Sequence, residues 1–309
     1  MRERPVTIGK NPVLAGILCE PTPPQSAGAR PLCLLVNAGL VHRVGPNRLY
    51  VQVARALAGH GYRSFRVDLS ARGDSEARRD GISFIESSVI EMRSVMDHLE
   101  RTAGATQFVV MGICSGAINS LQAAIVDARV AGCIAIDAPA YPTWKYYVRH
   151  YRGRLLRADS WRNTFAGRNA IGRLLRGGGA RSEPAPHVDE EFGEPFEDRP
   201  PRPSREEAEI LLAKITGRGG RILSIFSGSW SSYNYSNQFR DAFPSIAASG
   251  LAEVSYYPDS DHTFTRLYNQ RRLLGTIQRW MSSNWPTDGG PAQVGVPGAI
   301  ESNSRGRVD

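Results

Sequence analysis

Met111-Gly112-Ile113-Cys114-Ser115-Gly116-Ala117 decides how this chain folds. Upstream, Gln107 to Met111 is a short apolar run of strand length, and downstream Ser115 to Asp127 has helical spacing, so the stretch is the turn between a buried strand and a helix. A nucleophile at the tip of so sharp a turn needs small residues two before and two after it, because larger side chains would meet the neighbouring strand and helix. Gly112 and Gly116 fill those flanks, and Cys114 stands at the tip. The spacing therefore assigns the nucleophile to a thiol and makes Ser115 the first residue of the helix. At a helix N-terminus the backbone dipole favours the thiolate, the reactive form.

Working outward, the same alternation repeats. Leu32 to Asn37, Tyr62 to Asp68 and Val130 to Asp137 read as buried strands; Asn47 to His60 and Phe84 to Arg101 read as helices. After an interruption come a strand at Arg221 to Phe226, a helix at Asn237 to Ala248, a strand at Ala252 to Tyr257 and a helix at Arg271 to Ser282. Apolar runs of four to eight residues alternating with helices predict βαβ units and a mostly parallel sheet covered on both faces. Residues 5–20 read as an added hairpin turning at Lys10-Asn11-Pro12. The expected core is thus 1–137 with 221–285. Residues 138–220 are expected to form an inserted basic lid with an acidic, Pro-rich connector at 183–203, and 286–309 a disordered tail.

The 309 residues carry a net charge of +8, with 22% charged and 41% hydrophobic residues. That balance excludes a disordered chain, and no apolar run reaches transmembrane length. The basic excess is local. From Lys145 to Arg181 ten basic residues face the single acid Asp159, a charge of +9, so the remainder is nearly neutral. Nucleic-acid binding finds no support, because no stacking platform accompanies the arginines. The four cysteines form no C-x-x-C pair and no apolar leader follows Met1, so free thiols and a reducing cytoplasm are expected. No metal or nucleotide motif appears, and no cofactor is expected.

Two further loops complete a site. His262, in Pro258-Asp259-Ser260-Asp261-His262-Thr263-Phe264 after the last strand, would face Cys114 from the carboxyl edge of the sheet and act as its general base. His60 and His98 fall in helices, His150 in the insertion and His187 in the connector. In Asn37-Ala38-Gly39-Leu40-Val41-His42-Arg43, the backbone N–H of Leu40, with that of Ser115, would hold a developing oxyanion. Being backbone groups, these two are poorly tested by side-chain substitution. His42 is a candidate for contact with substrate, and Trp144 for the pocket lining beneath the lid.

These pieces resemble the α/β-hydrolase superfamily over roughly residues 5–282. Asn37-Ala38-Gly39-Leu40 stands for the usual His-Gly turn, followed by Asp68-Leu69-Ser70-Ala71-Arg72-Gly73-Asp74-Ser75, the Gly112 to Gly116 elbow and Asp261-His262-Thr263-Phe264, in the expected order. Within it the chain looks most like the serine-aminopeptidase-like hydrolases, with Cys as nucleophile as in dienelactone hydrolases. The resemblance implies a triad acid after Arg221 to Phe226, yet Ser227 to Tyr233 holds no carboxylate. Three sources remain: Asp137 at the end of the preceding strand, which is favoured; Asp259 or Asp261 locally; or no acid, since a thiol ionises readily. Asp68 and Asp74 are expected to hold a turn.

The chemistry expected is acyl transfer to water on an ester or acyl thioester. A thiol exchanges well with thioesters, and an Arg-rich lid suits the phosphates of coenzyme A or the acidic surface of an acyl carrier protein. Transfer to a second nucleophile, and a catalytically silent scaffold that binds a ligand or acidic partner, are the alternatives.

Overall fold

The computed structural model describes residues 1–23, 30–155 and 202–286. Eight strands form one sheet: β1 (Arg2–Ile8), β2 (Leu14–Glu20), β3 (Leu32–Val36), β4 (Ser64–Val67), β5 (Phe108–Ile113), β6 (Val130–Ile136), β7 (Arg221–Ser227) and β8 (Ala252–Tyr257). Their spatial order is β1-β2-β4-β3-β5-β6-β7-β8. The hairpin β1–β2 joins antiparallel, β2 pairs antiparallel with β4, and every later pairing is parallel. The central strand β5 lies between β3 and β6, so the turn after it opens near the middle of the carboxyl edge, where ligands bind in such sheets.

Alternation along each strand fills two cores. Leu32, Leu34 and Val36 of β3 face one side with α2 (Phe84–Ala103), α3 (Ser115–Val126) and a helix at Arg205–Thr216. Cys33 and Leu35 face the other, under α1 (Leu49–Gly59) and a C-terminal helix at Leu267–Asn284. Both faces being covered, the strands carry the near-continuous apolar runs seen in the sequence.

Four boundaries differ from expectation, each for a local reason. First, α1 starts at Leu49, because Asn47 and Arg48 sit at positive φ after Gly45. The expected helix over Asn237–Ala248 is two short ones, Gln238–Ala242 and Pro244–Ala248, broken where Pro244 lacks an N–H. The helix predicted from Arg271 begins at Leu267. Most consequentially, the sheet domain resumes before residue 221. The helix Arg205–Thr216 is capped by a reciprocal Ser204–Glu207 box and buries Ala208, Leu212 and Ile215 in the core. Its Arg205-Glu206-Glu207 start falls in the stretch assigned to the insertion, whereas the carboxylates there complement the helix N-terminus.

Following the chain, the helices after α3 are α4 (Trp144–Leu155), α5 (Arg205–Thr216), α6 (Gln238–Ala242), α7 (Pro244–Ala248) and α8 (Leu267–Asn284). Most of the expected lid, residues 156–201, and the tail from 287 lie outside the described residues. Among the described residues no helix is long and apolar enough to cross a membrane.

Candidate active site

The turn after β5 is as tight as its glycines imply. Cys114 has φ 57° and ψ −118°, a conformation that L-residues rarely adopt. A Cβ on Gly112 would stand 2.1 Å from the carbonyl of Gly116, and one on Gly116 would stand 2.4 Å from that of Asn37. The turn is tied in place: Cys114 N–H donates to Ile136 O at 2.9 Å. Tyr50, fully buried, accepts from Ile113 N–H at 3.1 Å and donates to Val36 O at 2.9 Å, bracing the ends of β3 and β5 together. Cys114 is half-buried, whereas Cys19, Cys33 and Cys133 are buried. Burial pushes the Cys33 thiol up to about 12 and raises Cys133 as well.

Asp137 ends β6, on the strand beside the one that carries Cys114. It is fully buried, and its own N–H continues the ladder to Ile225 O at 2.8 Å. Oδ1 accepts from Ser227 N–H at 2.7 Å, and Oδ2 accepts from the Ser227 hydroxyl at 2.7 Å. Oδ2 also faces His262 Nδ1 at 2.8 Å. This leaves Nε2 for Cys114, with which His262 also hydrogen-bonds. Burial alone would lower the His262 pKa, but the hydrogen bonds and charges of Asp137 and Cys114 outweigh it and lift it to about 9. The imidazolium therefore persists at neutral pH, with Nδ1–H directed at Asp137.

The other two carboxylates considered are engaged elsewhere. Asp259 pairs with Arg272 at 3.0 Å. Asp261 accepts from Thr265 N–H at 2.9 Å and from the Thr263 and Thr265 hydroxyls, closing the loop that carries His262. Sequence reasoning missed Trp230, whose ring stacks on His262 with centroids 5.1 Å apart and planes 12° apart. Its indole N–H donates to Ala138 O at 3.0 Å, fixing the ring. The signal was present in the loop lacking a carboxylate, but only the fold brings that loop over His262.

The loop after β3 forms a turn in which Val41 N–H donates to Ala38 O at 2.9 Å. Gly39 N–H donates to the Ser115 hydroxyl at 2.8 Å, so Ser115 holds this loop through its side chain as well as offering a backbone N–H. The expectation that side-chain substitution is uninformative there therefore fails for Ser115. Leu40 N–H has no protein acceptor among the described residues. Asp68, fully buried, accepts from Asn37 Nδ2 at 3.0 Å, from Arg43 and from Asp74 N–H, which joins this loop to the one after β4. His42 is exposed and accepts from Val44 N–H at 3.3 Å, and Trp144 is 71% exposed at the start of α4. The structure thus brings Asp137, His262 and Cys114 together, with Leu40 on the loop after β3 and Ser115 in the first turn of α3. Among the described residues no cluster of His, Cys, Asp and Glu suits a metal ion.

A family model described as the alpha/beta hydrolase fold matches residues 34–217. The chain belongs to the alpha/beta hydrolase fold family. Membership makes it a hydrolase-type enzyme. No curated protein sequence matches this α/β hydrolase. Among solved structures it is similar to Est1E from Butyrivibrio proteoclasticus, with a TM-score of 0.55 and 13% identity over 92% of this chain and 99% of that one. It is similar also to the esterase Pf2001 of Pyrococcus furiosus, at 0.56 and 12% over 93% of both chains. A proline iminopeptidase of Mycobacterium smegmatis follows at 0.56 and 14%, over 91% of this chain and 99% of that one. At such identities the likeness is one of fold.

Proposed function

We propose that this α/β hydrolase is an esterase-type acyl hydrolase that works through a covalent acyl-Cys114 intermediate. The observation that carries the reading is the Asp137–His262 contact of 2.8 Å, with the same ring hydrogen-bonded to the thiol at the elbow. In the proposed cycle the Cys114 sulfur attacks the substrate carbonyl carbon, and the carbonyl electron pair moves onto oxygen. The N–H groups of Leu40 and Ser115 hold that oxyanion. As the tetrahedral centre collapses, His262 gives its Nε2 proton to the departing alkoxide or thiolate. Neutral His262 then takes a proton from water, whose oxygen bonds to the acyl carbonyl carbon, and collapse of this second tetrahedral centre breaks the carbon–sulfur bond. The acid leaves, and the thiolate and imidazolium are restored.

A thiol nucleophile suits oxyesters with good leaving groups and acyl thioesters better than amides, because the sulfur leaves the tetrahedral centre more readily than an amine does. An acyl thioester of coenzyme A or of an acyl carrier protein is the finer reading, supported by the basic sequence from Lys145 to Arg181. The silent-scaffold alternative rested on the carboxylate missing after β7; Asp137 beside His262 supplies one, which supports the enzymatic reading.

Burst kinetics with p-nitrophenyl acetate and with acetyl-coenzyme A, read together with intact-mass spectrometry, test this. A mass gain of one acyl group at Cys114 is expected, lost in Cys114→Ala together with turnover. Full activity in Cys114→Ala would sink the proposal.

A further inference from the structure

The turn that carries Leu40 N–H has one peptide whose direction decides which group faces the site. Ala38 to Val41 is a four-residue β-turn closed by Val41 N–H to Ala38 O, and of its two central residues only Gly39 has positive φ, at 53°. That is the signature of a type II′ turn. Its closing hydrogen bond forms a ring that passes through the central peptide and leaves that peptide's oxygen and hydrogen, on Gly39 C=O and Leu40 N–H, pointing out of it. Types I′ and II′ differ by rotation of that one peptide, which in type I′ also carries the second central residue, here Leu40, to positive φ. Within a peptide plane C=O and N–H point in opposite directions. Rotation would therefore present the Gly39 carbonyl where Leu40 N–H had been, turning a donor toward the reacting oxygen into an acceptor that repels it.

One side chain grips this peptide. Arg72 Nε–H donates to Gly39 O at 2.9 Å. Arg72 is 8% exposed, and its guanidinium carbon lies 4.0 Å from the centre of the Phe84 ring, so the group is held in one place. Ser115 Oγ meanwhile holds Gly39 N–H, on the preceding peptide. Among the described residues these two contacts hold both peptides flanking Gly39, and of the two it is the Arg72 contact that bears on the rotation.

We propose that Arg72 is a positioning residue that sets the direction of the oxyanion-binding peptide, keeping Leu40 N–H turned toward the carbonyl oxygen at Cys114. The proposal rests on the esterase reading for its kinetic test but not for its spectroscopic one.

Arg72→Met keeps most of the stem against Phe84 and removes the donor; Arg72→Lys keeps a cationic donor. Arg72→Met is expected to lower kcat for p-nitrophenyl acetate by about 10- to 100-fold, a part of the roughly 10²- to 10³-fold cost of losing one oxyanion donor outright, with KM held. Arg72→Lys is expected to recover part of that loss. Alkylation of Cys114 by iodoacetamide forms no oxyanion, so its rate is expected to stay within twofold of wild type in both variants. The Leu40 amide resonance, read by ¹⁵N–¹H correlation with no substrate present, is expected to shift or split in Arg72→Met. Wild-type kcat in Arg72→Met, an unchanged Leu40 amide, or an equal loss of acylation and alkylation overturns the proposal. A wild-type enzyme that alkylates at Cys114 yet hydrolyses no ester defeats the esterase reading instead, and the amide spectrum then decides the role of Arg72.

Discussion

His262 keeps its proton to about pH 9, and the cause is local: a buried carboxylate at 2.8 Å on one nitrogen and the Cys114 sulfur on the other outweigh the cost of burial. A histidine whose folded pKa is raised contributes stability that is complete below its unfolded value, near 6.5, and is lost as pH rises through about 9. Urea midpoints are accordingly expected to fall between those limits in the wild type. Asp137→Asn keeps the shape and one acceptor oxygen but removes the charge. We expect it to return the His262 pKa toward 6.5, flatten that slope, and lower kcat by about 10² to 10⁴. NMR titration of the ring and steady-state kinetics check the two halves. In the wild type the acylation rate with poor leaving groups is expected to decline as pH passes about 9, when the proton they need is gone.

At the scale of elements, the site is made where three strands end side by side. The loop after β3 supplies Leu40, the turn after β5 supplies Cys114 and the end of β6 supplies Asp137; the ladder bonds Cys114 N–H to Ile136 O and Asp137 N–H to Ile225 O fix the last two. Gly116 is the residue on which this convergence turns, because its Cα faces the backbone of Asn37 and Val36 with no room between. Gly116→Ala would place a methyl 2.4 Å from Asn37 O, and backbone does not step aside as a side-chain tip does. A loss of about 3 kcal/mol is expected. It is measurable by thermal melting, together with a changed alkylation rate at Cys114. The elbow was legible in the sequence because its two glycines stand at a fixed spacing about Cys114 and Gly112 packs on Gly116 four residues on, although what Gly116 itself packs on, Asn37, was not. The parts not legible depend on contacts far apart along the chain. Trp230 meets His262 32 positions away, Arg72 meets Gly39 33 positions away and the Ser115 hydroxyl meets Gly39 76 positions away.

For the whole molecule, the hairpin, the parallel sheet and the two covered faces follow from apolar alternation, and so were readable in advance. The helix Arg205–Thr216 was not, since its charged first turn hides the buried side of Ala208, Leu212 and Ile215. The last helix anchors one core: Trp280, 3% exposed, and Trp285 pack edge to face over Gly132, where a Cβ would lie 2.6 Å from Trp285 and 2.9 Å from Trp280. Trp280→Ala is expected to cost about 3–5 kcal/mol. At about 2–4 °C per kcal/mol for a domain of this size, calorimetry should register a drop in Tm near 10 °C. The position of Asp137 has one more consequence. The carboxylate proposed for the triad stands at the end of β6, so the chain from Ser229 to Ser236 is released from holding an acid; its first two residues still reach the relay, Ser229 through the Ser227 hydroxyl and Trp230 through its stacking on His262. Change in the stretch from Ser231 to Ser236 can therefore be absorbed without moving the carboxylate on which the proposed relay depends.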